Sequence, residues 1–301
     1  MALLRSVEKK DFRAVLSLAK ELDSYNLPND PKVIRNLIRT SELSFRGKLP
    51  KTKAKYLFVI EEERSKRIFG SSLMVARQGT PVSPHIYLQK GRDRKGEYLK
   101  FGATKHGPTE IGGLFLKKAY RKRKEKFGKQ LSWVRFLYMT LYPERFERRV
   151  LAEFLPPLAK GKRSLFWDAF GRRFTGLSYH EADRLSVYTK KFIFDLFPRE
   201  KIYLKHLPKK VRDILGKVGP QAIPAYKMLE AIGFRKTNRI EPFDGGPYYE
   251  AERKKIAVIR KAKKLLFQNG KTPRKRKVVA YVTQNLLRLK EGEKIVAIPF
   301  D

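Results

Sequence analysis

The sequence contains no cysteine. That excludes disulfides, thiolate zinc sites and a thiol nucleophile. A reduced cytoplasm is the simplest setting for such a chain. Histidine is nearly as scarce, with His85, His106, His180 and His206 making the full set of four. No group of His, Asp and Glu has metal-ligand spacing, so no metal is expected. No serine sits in a nucleophile elbow. The text after Met1, "ALLRSVEKKDF", lacks the apolar centre of a signal peptide, and no apolar run reaches bilayer length. The expectation is a soluble cytoplasmic protein with no membrane partner.

Acidic residues are also few. The chain has 30 Asp and Glu against 69 Lys and Arg, a formal net charge of +39. A field of that sign attracts phosphorylated cofactors and nucleic acids alike. The lysines are spread along the whole sequence, the pattern of a generally basic surface. Aromatics near the basic run at 120–126 fall on an apolar helix face, not interleaved as a stacking platform needs. Nucleic acid is therefore expected to bind only nonspecifically. With 42% hydrophobic residues over 301 positions, the chain can bury a real core in one large domain or two smaller ones.

Strand and helix patterns alternate. "ALLRS" reads as a strand followed by a helix with Phe12, Val15, Leu16 and Ala19 on one face. A second helix is expected from Asp30, with Pro31 in its first turn. "KYLFVIEEE", "IFGSSLMVAR", "HIYLQK" and "GEYLKFG" have strand composition. "TEIGGLFLKKAYR" reads as a strand interrupted by two glycines, and a helix is expected from about Gly128. "RRVLAEFLPP" is a further strand. Helical text then dominates in "LFWDAFGRRF", "EADRLSVYTKKFIFDLFP" and "PKKVRDILGKV". "PAYKMLEAIGF" is a helix with a glycine C-cap, and "FDGG" a tight turn. "KVVAYVT" and "KIVAIPF" suggest a β-rich end, with a basic loop at 271–277. The order predicts an α/β protein, a mixed sheet flanked by helices. Residues 1–250 are read as the main domain and 251–301 as a small basic β-rich appendage.

The stretch "YRKRKEKFGKQLSWVRFLYM" (120–139) places a basic, glycine-containing turn between a strand and a helix. A helix start offers unpaired N–H groups and a positive dipole end. Glycine lets the backbone approach a phosphate, and Arg121, Arg123, Lys124 and Lys126 add charge. The alternative is a solvated turn, which short glycine motifs alone do not exclude.

The turn is similar to the R-x-x-G-x-G pyrophosphate turn of the GNAT acyl-CoA transferases. Arg123 and Gly128 are kept, and Lys126 stands at the middle glycine. Longer phrases are more specific: "TEIGGLFLKKAYR", "GKQLSWVRFLYM", "PERFERRVLAEF", "FWDAFGRRF", "EADRLSVYTKKFI", "PAYKMLEAIGF" and "FDGGPYYE", in this order. Together they resemble the arginine N-succinyltransferase family, a GNAT branch, along essentially the whole chain. The resemblance implies succinyl transfer from succinyl-CoA to the α-amine of arginine, in arginine catabolism, without a metal. It implies that Leu114 contacts the cosubstrate, with Arg123 and Gly128 holding its pyrophosphate. Some family members pair two related subunits, so a homo-oligomer or a paired relative is an expected partner.

One departure bears on catalysis. The family carries a proton-donor histidine in a phrase "I-G-x-V-H-P"; here the phrase is "LGKVGPQAIPA", with Gly219 at that position. Three readings follow. The enzyme works through another group, for which Glu110 and His106 are the candidates; it acylates a different amine; or it is a non-catalytic relative or partner subunit. Asp168 and Asp183 have the charge to meet a guanidinium, although helix-face and capping roles are the ordinary ones for such residues.

Overall fold

A computed structural model describes residues 2–22, 27–265, 278–283, 286–291 and 294–300. The strands are β1 (Ala2–Ser6), β2 (Lys55–Glu62), β3 (Ile68–Val75), β4 (His85–Asp93), β5 (Gly96–Thr104), β6 (Thr109–Leu116), β7 (Arg149–Glu153), β8 (Ile202–Tyr203), β9 (Arg235–Ile240), β10 (Pro247–Glu252), β11 (Lys263–Leu265), β12 (Val278–Thr283), β13 (Leu286–Glu291) and β14 (Lys294–Pro299). The helices are α1 (Phe12–Leu22), α2 (Pro31–Phe45), α3 (Phe127–Leu141), α4 (Arg172–Thr175), α5 (Tyr179–Ser186), α6 (Lys191–Leu196), α7 (Lys209–Ile214), α8 (Ile223–Ala231) and α9 (Ala257–Lys261). The protein is α/β, as the alternating patterns predict.

The chain forms two compact units. The first comprises residues 1–77, 108–150 and 252–301. Its strands run in the order β11-β14-β13-β12-β1-β2-β3-β6. Each adjacent pair is antiparallel. Asp30 caps α2 by accepting from the N–H groups of Lys32 and Val33, and Pro31 takes the first helical position, where its missing N–H costs nothing. Apolar faces of α1 and α2 close over Leu57, Val59, Leu73 and Phe115. On the other sheet face Gly70 lies beneath Leu131 of α3. There the Tyr138 ring meets Tyr56 and Phe58 of β2. The C-terminal residues are β-rich, and their strand β12 pairs with β1. The basic loop at 271–277 lies outside the described residues.

The second unit comprises residues 78–107 and 151–251. Its strands run β10-β9-β4-β5-β8. Trp167, Phe170, Phe197 and Phe243 centre its core, and the Trp167 indole N–H donates to the Leu177 carbonyl at 3.0 Å. The stretch 181–198, helical in pattern throughout, is two short helices, α5 and α6, separated at 187–190.

Candidate active site

The two glycines of "TEIGGLFL" distort β6 where the sequence places a disturbance. Ser71 pairs with Phe115 and Leu73 with Gly112, so Gly113 and Leu114 together stand opposite the single residue Ser72. This is a β-bulge, which re-aims backbone groups at the cost of ladder pairing. Gly113 makes it possible by adopting φ +54°, a conformation with little penalty only for glycine. The Ser71 hydroxyl donates to the Gly113 carbonyl at 3.2 Å and holds the bulge. Leu114 is half-buried. Its amide is the group a bulge of this kind can turn toward a carbonyl oxygen.

The basic turn follows directly. Arg123 is exposed; its Nε donates to the Ala119 carbonyl at 3.0 Å, and its guanidinium lies 4.9 Å from the Tyr120 ring centre. Tyr120 stacks on Phe69 at 4.0 Å. Lys126 precedes α3 at φ 53° and ψ 42°, left-handed, with no side chain capping the helix. A lysine holds the conformation that glycine adopts at lower cost, about 1–2 kcal/mol apart. A Cβ added at Gly128 would meet no atom within 4 Å, so the protein leaves open space in front of the helix start. A cleft of about 850 Å³ opens beside the turn, lined by Arg123, Lys124, Lys126, Phe127, Tyr120 and Arg64 among others. Helix N–H groups, cations and open space around Gly128 together fit a diphosphate. Leu114 and Gly128 are not among the residues that line this cleft.

The candidate proton carriers are in different settings. Glu110 is buried on β6, opposite Val75. His106 is exposed on the turn after β5, in the second unit, where its backbone N–H donates to the Thr104 hydroxyl at 3.2 Å. His85 is unsuited to proton transfer, because burial pushes its pKa down to about 3 and it stays neutral at physiological pH. Gly219 has φ −70°, which any residue can adopt, yet it has no room for a side chain. A Cβ there would lie 2.6 Å from the Pro156 carbonyl oxygen and 2.9 Å from that of Leu155. Its N–H donates to the Leu155 carbonyl at 2.8 Å, so a histidine cannot replace it while this backbone holds. Asp168 is engaged by Arg163 at 2.8 Å, and Asp183 lies on α5. In the "FDGG" turn, Asp244 accepts from the Gly246 N–H at 2.7 Å. Its carboxyl is pushed up by burial and then by the neighbouring Glu241 carboxylate. The described residues contain no group of three or more potential metal ligands and no helix long and apolar enough to cross a membrane.

The family model described as arginine N-succinyltransferase beta subunit matches residues 2–258. The chain belongs to the arginine N-succinyltransferase family. It is 32% identical to arginine N-succinyltransferase of Citrobacter koseri over 279 residues, spanning 88% of this chain and 80% of that one. It is equally close to the Shigella dysenteriae protein of the same name, over 87% of this chain and 79% of that one. Among solved structures, the arginine/ornithine succinyltransferase subunit AI from Pseudomonas aeruginosa superposes with a TM-score of 0.81 at 25% identity, over all of this chain and 89% of that one. The GNAT-type fold and the family expected from the quoted phrases are both borne out. Within this arginine N-succinyltransferase family member, the sequence pattern located the bulge and the turn. It missed the lack of space at Gly219, which depends on residues more than 60 positions away in sequence, and no local signal marks it.

Proposed function

We infer that the protein is an N-acyltransferase that moves a succinyl group from succinyl-CoA to the α-amine of arginine. Its membership of the arginine N-succinyltransferase family over nearly the whole chain carries this reading. The bulge and the uncapped helix start support it chemically. The Leu114 amide would donate to the thioester oxygen as negative charge develops there, a contribution that grows toward the transition state. Arg123 and the α3 N-terminus would fix the diphosphate, so that the thioester lies along β6 at attack distance. The amine must lose a proton and the leaving thiolate must gain one. Glu110 is the base we favour, with His106 second. Glu110 is four residues before Leu114, about 13 Å along an extended strand, so a water relay would carry the proton. Loss of the family histidine at Gly219 is compatible with catalysis if positioning and the oxyanion contact supply most of the rate.

Incubation of the purified chain with succinyl-CoA and arginine, followed by mass spectrometry, tests the assignment. The expected product is arginine carrying one succinyl group on its α-nitrogen. Unmodified arginine alongside an acylated alternative amine would overturn the choice of acceptor. The setting proposed is the cytoplasm.

A further inference from the structure

The helix that starts at the phosphate turn carries a buried charge with no counter-ion among the described residues. Arg135 of α3 is 2% exposed. Among the described residues its only hydrogen-bond partner is Ser132 of its own helix, through the carbonyl at 3.1 Å and the hydroxyl at 2.9 Å. Burial alone pushes its pKa down to about 9, so it remains a cation at neutral pH. The same unit shows the usual arrangement for a buried arginine. Arg5, 4% exposed, is held by Asp11 at 2.7 and 2.9 Å and by Glu61 at 3.0 Å. A buried guanidinium without a counter-ion is costly to the fold, and costs of this size are tolerated at binding and catalytic sites.

Its position follows from the packing of α3. Leu131 sits over Gly70 of β3, and Tyr138 meets Tyr56 and Phe58 of β2. At 3.6 residues per turn, Tyr138 projects about 20° to one side of Leu131 and Arg135 about 40° to the other. The strand order is β2-β3-β6, so the side away from β2 is that of β6. Along the helix Arg135 falls between Leu131, above Gly70, and Tyr138, above Phe58. The residue paired with Phe58 is Ser72, the one opposite the Gly113–Leu114 bulge. Ser72 shares the sheet face of Gly70, two residues earlier. It is fully buried, and its hydroxyl has no hydrogen-bond partner. Arg135, with no acid partner among the described residues, therefore stands on the β6 side of α3, and the partnerless Ser72 hydroxyl belongs to the sheet face that α3 covers, opposite the bulge.

We propose that Arg135, assisted by the Ser72 hydroxyl, takes the free carboxylate of the acyl donor and so selects a dicarboxylic acyl group over a neutral one. The proposal rests on the acyltransferase reading above. A succinyl group has its carboxylate two methylenes beyond the thioester carbonyl, which the Leu114 amide would hold. Carboxylate and guanidinium then neutralise each other in a low-dielectric layer, where a charge-assisted pair is strong. A neutral acyl group of the same length would leave Arg135 bare and gain nothing from it.

The test compares succinyl-CoA with butyryl-CoA, its uncharged analogue in length, on the wild-type full chain and on Arg135→Met, Arg135→Lys and Ser72→Ala. Binding is read by titration calorimetry and turnover by CoA release with arginine. The wild type should favour succinyl-CoA, and Arg135→Met should lower the succinyl-to-butyryl ratio roughly 30- to 100-fold, about 2–3 kcal/mol at 1.4 kcal/mol per tenfold. Ser72→Ala should lower it several-fold, and Arg135→Lys should keep part of the preference. Removing an uncompensated buried charge should leave the melting temperature of Arg135→Met unchanged or higher. Equal wild-type affinity for the two acyl-CoAs, equal loss of both in Arg135→Met, or a variant that melts lower or fails to fold would overturn the proposal and make Arg135 a structural residue. Because the binding ratio is measured without acceptor, absence of arginine acylation would defeat the functional reading while leaving the role of Arg135 to be decided by the titration.

Discussion

Single residues decide how far the catalytic machinery of the family carries over. Gly219 stands where the family resemblance leads one to expect a histidine, and the structure gives a steric reason why a side chain cannot be added there alone: the 155–156 backbone occupies the space it would need. Gly219→Ala should therefore lose about 1–3 kcal/mol of stability, the usual range for overpacking. Urea unfolding checks this, and an unchanged midpoint would show that the 155–156 segment yields freely. Lys126 is the opposite case. It stands where the resemblance leads one to expect a glycine, and its backbone adopts the left-handed conformation that glycine serves. From text alone a lysine there reads as a weakened motif; its φ of 53° is the conformation a glycine would take at lower cost. Arg135 was legible only as one more basic residue in a helical run. Its burial, and its lack of an acid partner among the described residues, are tertiary facts that no local pattern carries.

At the level of elements, the strand–turn–helix of β6, 117–126 and α3 is the best-predicted part of the protein. Glycine pairs in strands, basic turns and 3.6-residue periodicity are local signals, and each had a local consequence here: the bulge, the exposed cations and the helix start near 127. The stretch 181–198 reads as helical text because its apolar spacing is maintained across the break at 187–190. β13, a strand of Leu and basic residues, carries too short a pattern to stand out in the sequence; its partners β12 and β14 supply the context it lacks. The turn makes its own prediction. Arg123→Ala should weaken succinyl-CoA binding about tenfold or more, since a charge-assisted contact to phosphate is worth about 1.5–3 kcal/mol. Circular dichroism should be unchanged, because among the described residues the exposed Arg123 makes one hydrogen bond to a carbonyl and one ring contact. Unaltered affinity in calorimetry would remove the turn from the cosubstrate site.

For the whole molecule, the family membership, the α/β architecture and the charge of +39 point to one kind of chemistry. Both the acyl donor and the proposed acyl group are anionic, and a basic protein gathers such ligands by long-range attraction that salt weakens. Specific acyl transfer should survive at an ionic strength where adventitious polyanion binding is lost. The most direct measurement is CoA release by the purified protein from succinyl-CoA at moderately high salt, with and without arginine. The account predicts release that depends on arginine and saturates with it, showing that the chemistry proceeds with Gly219 in place of histidine. Release that is absent, or the same without arginine, would contradict it.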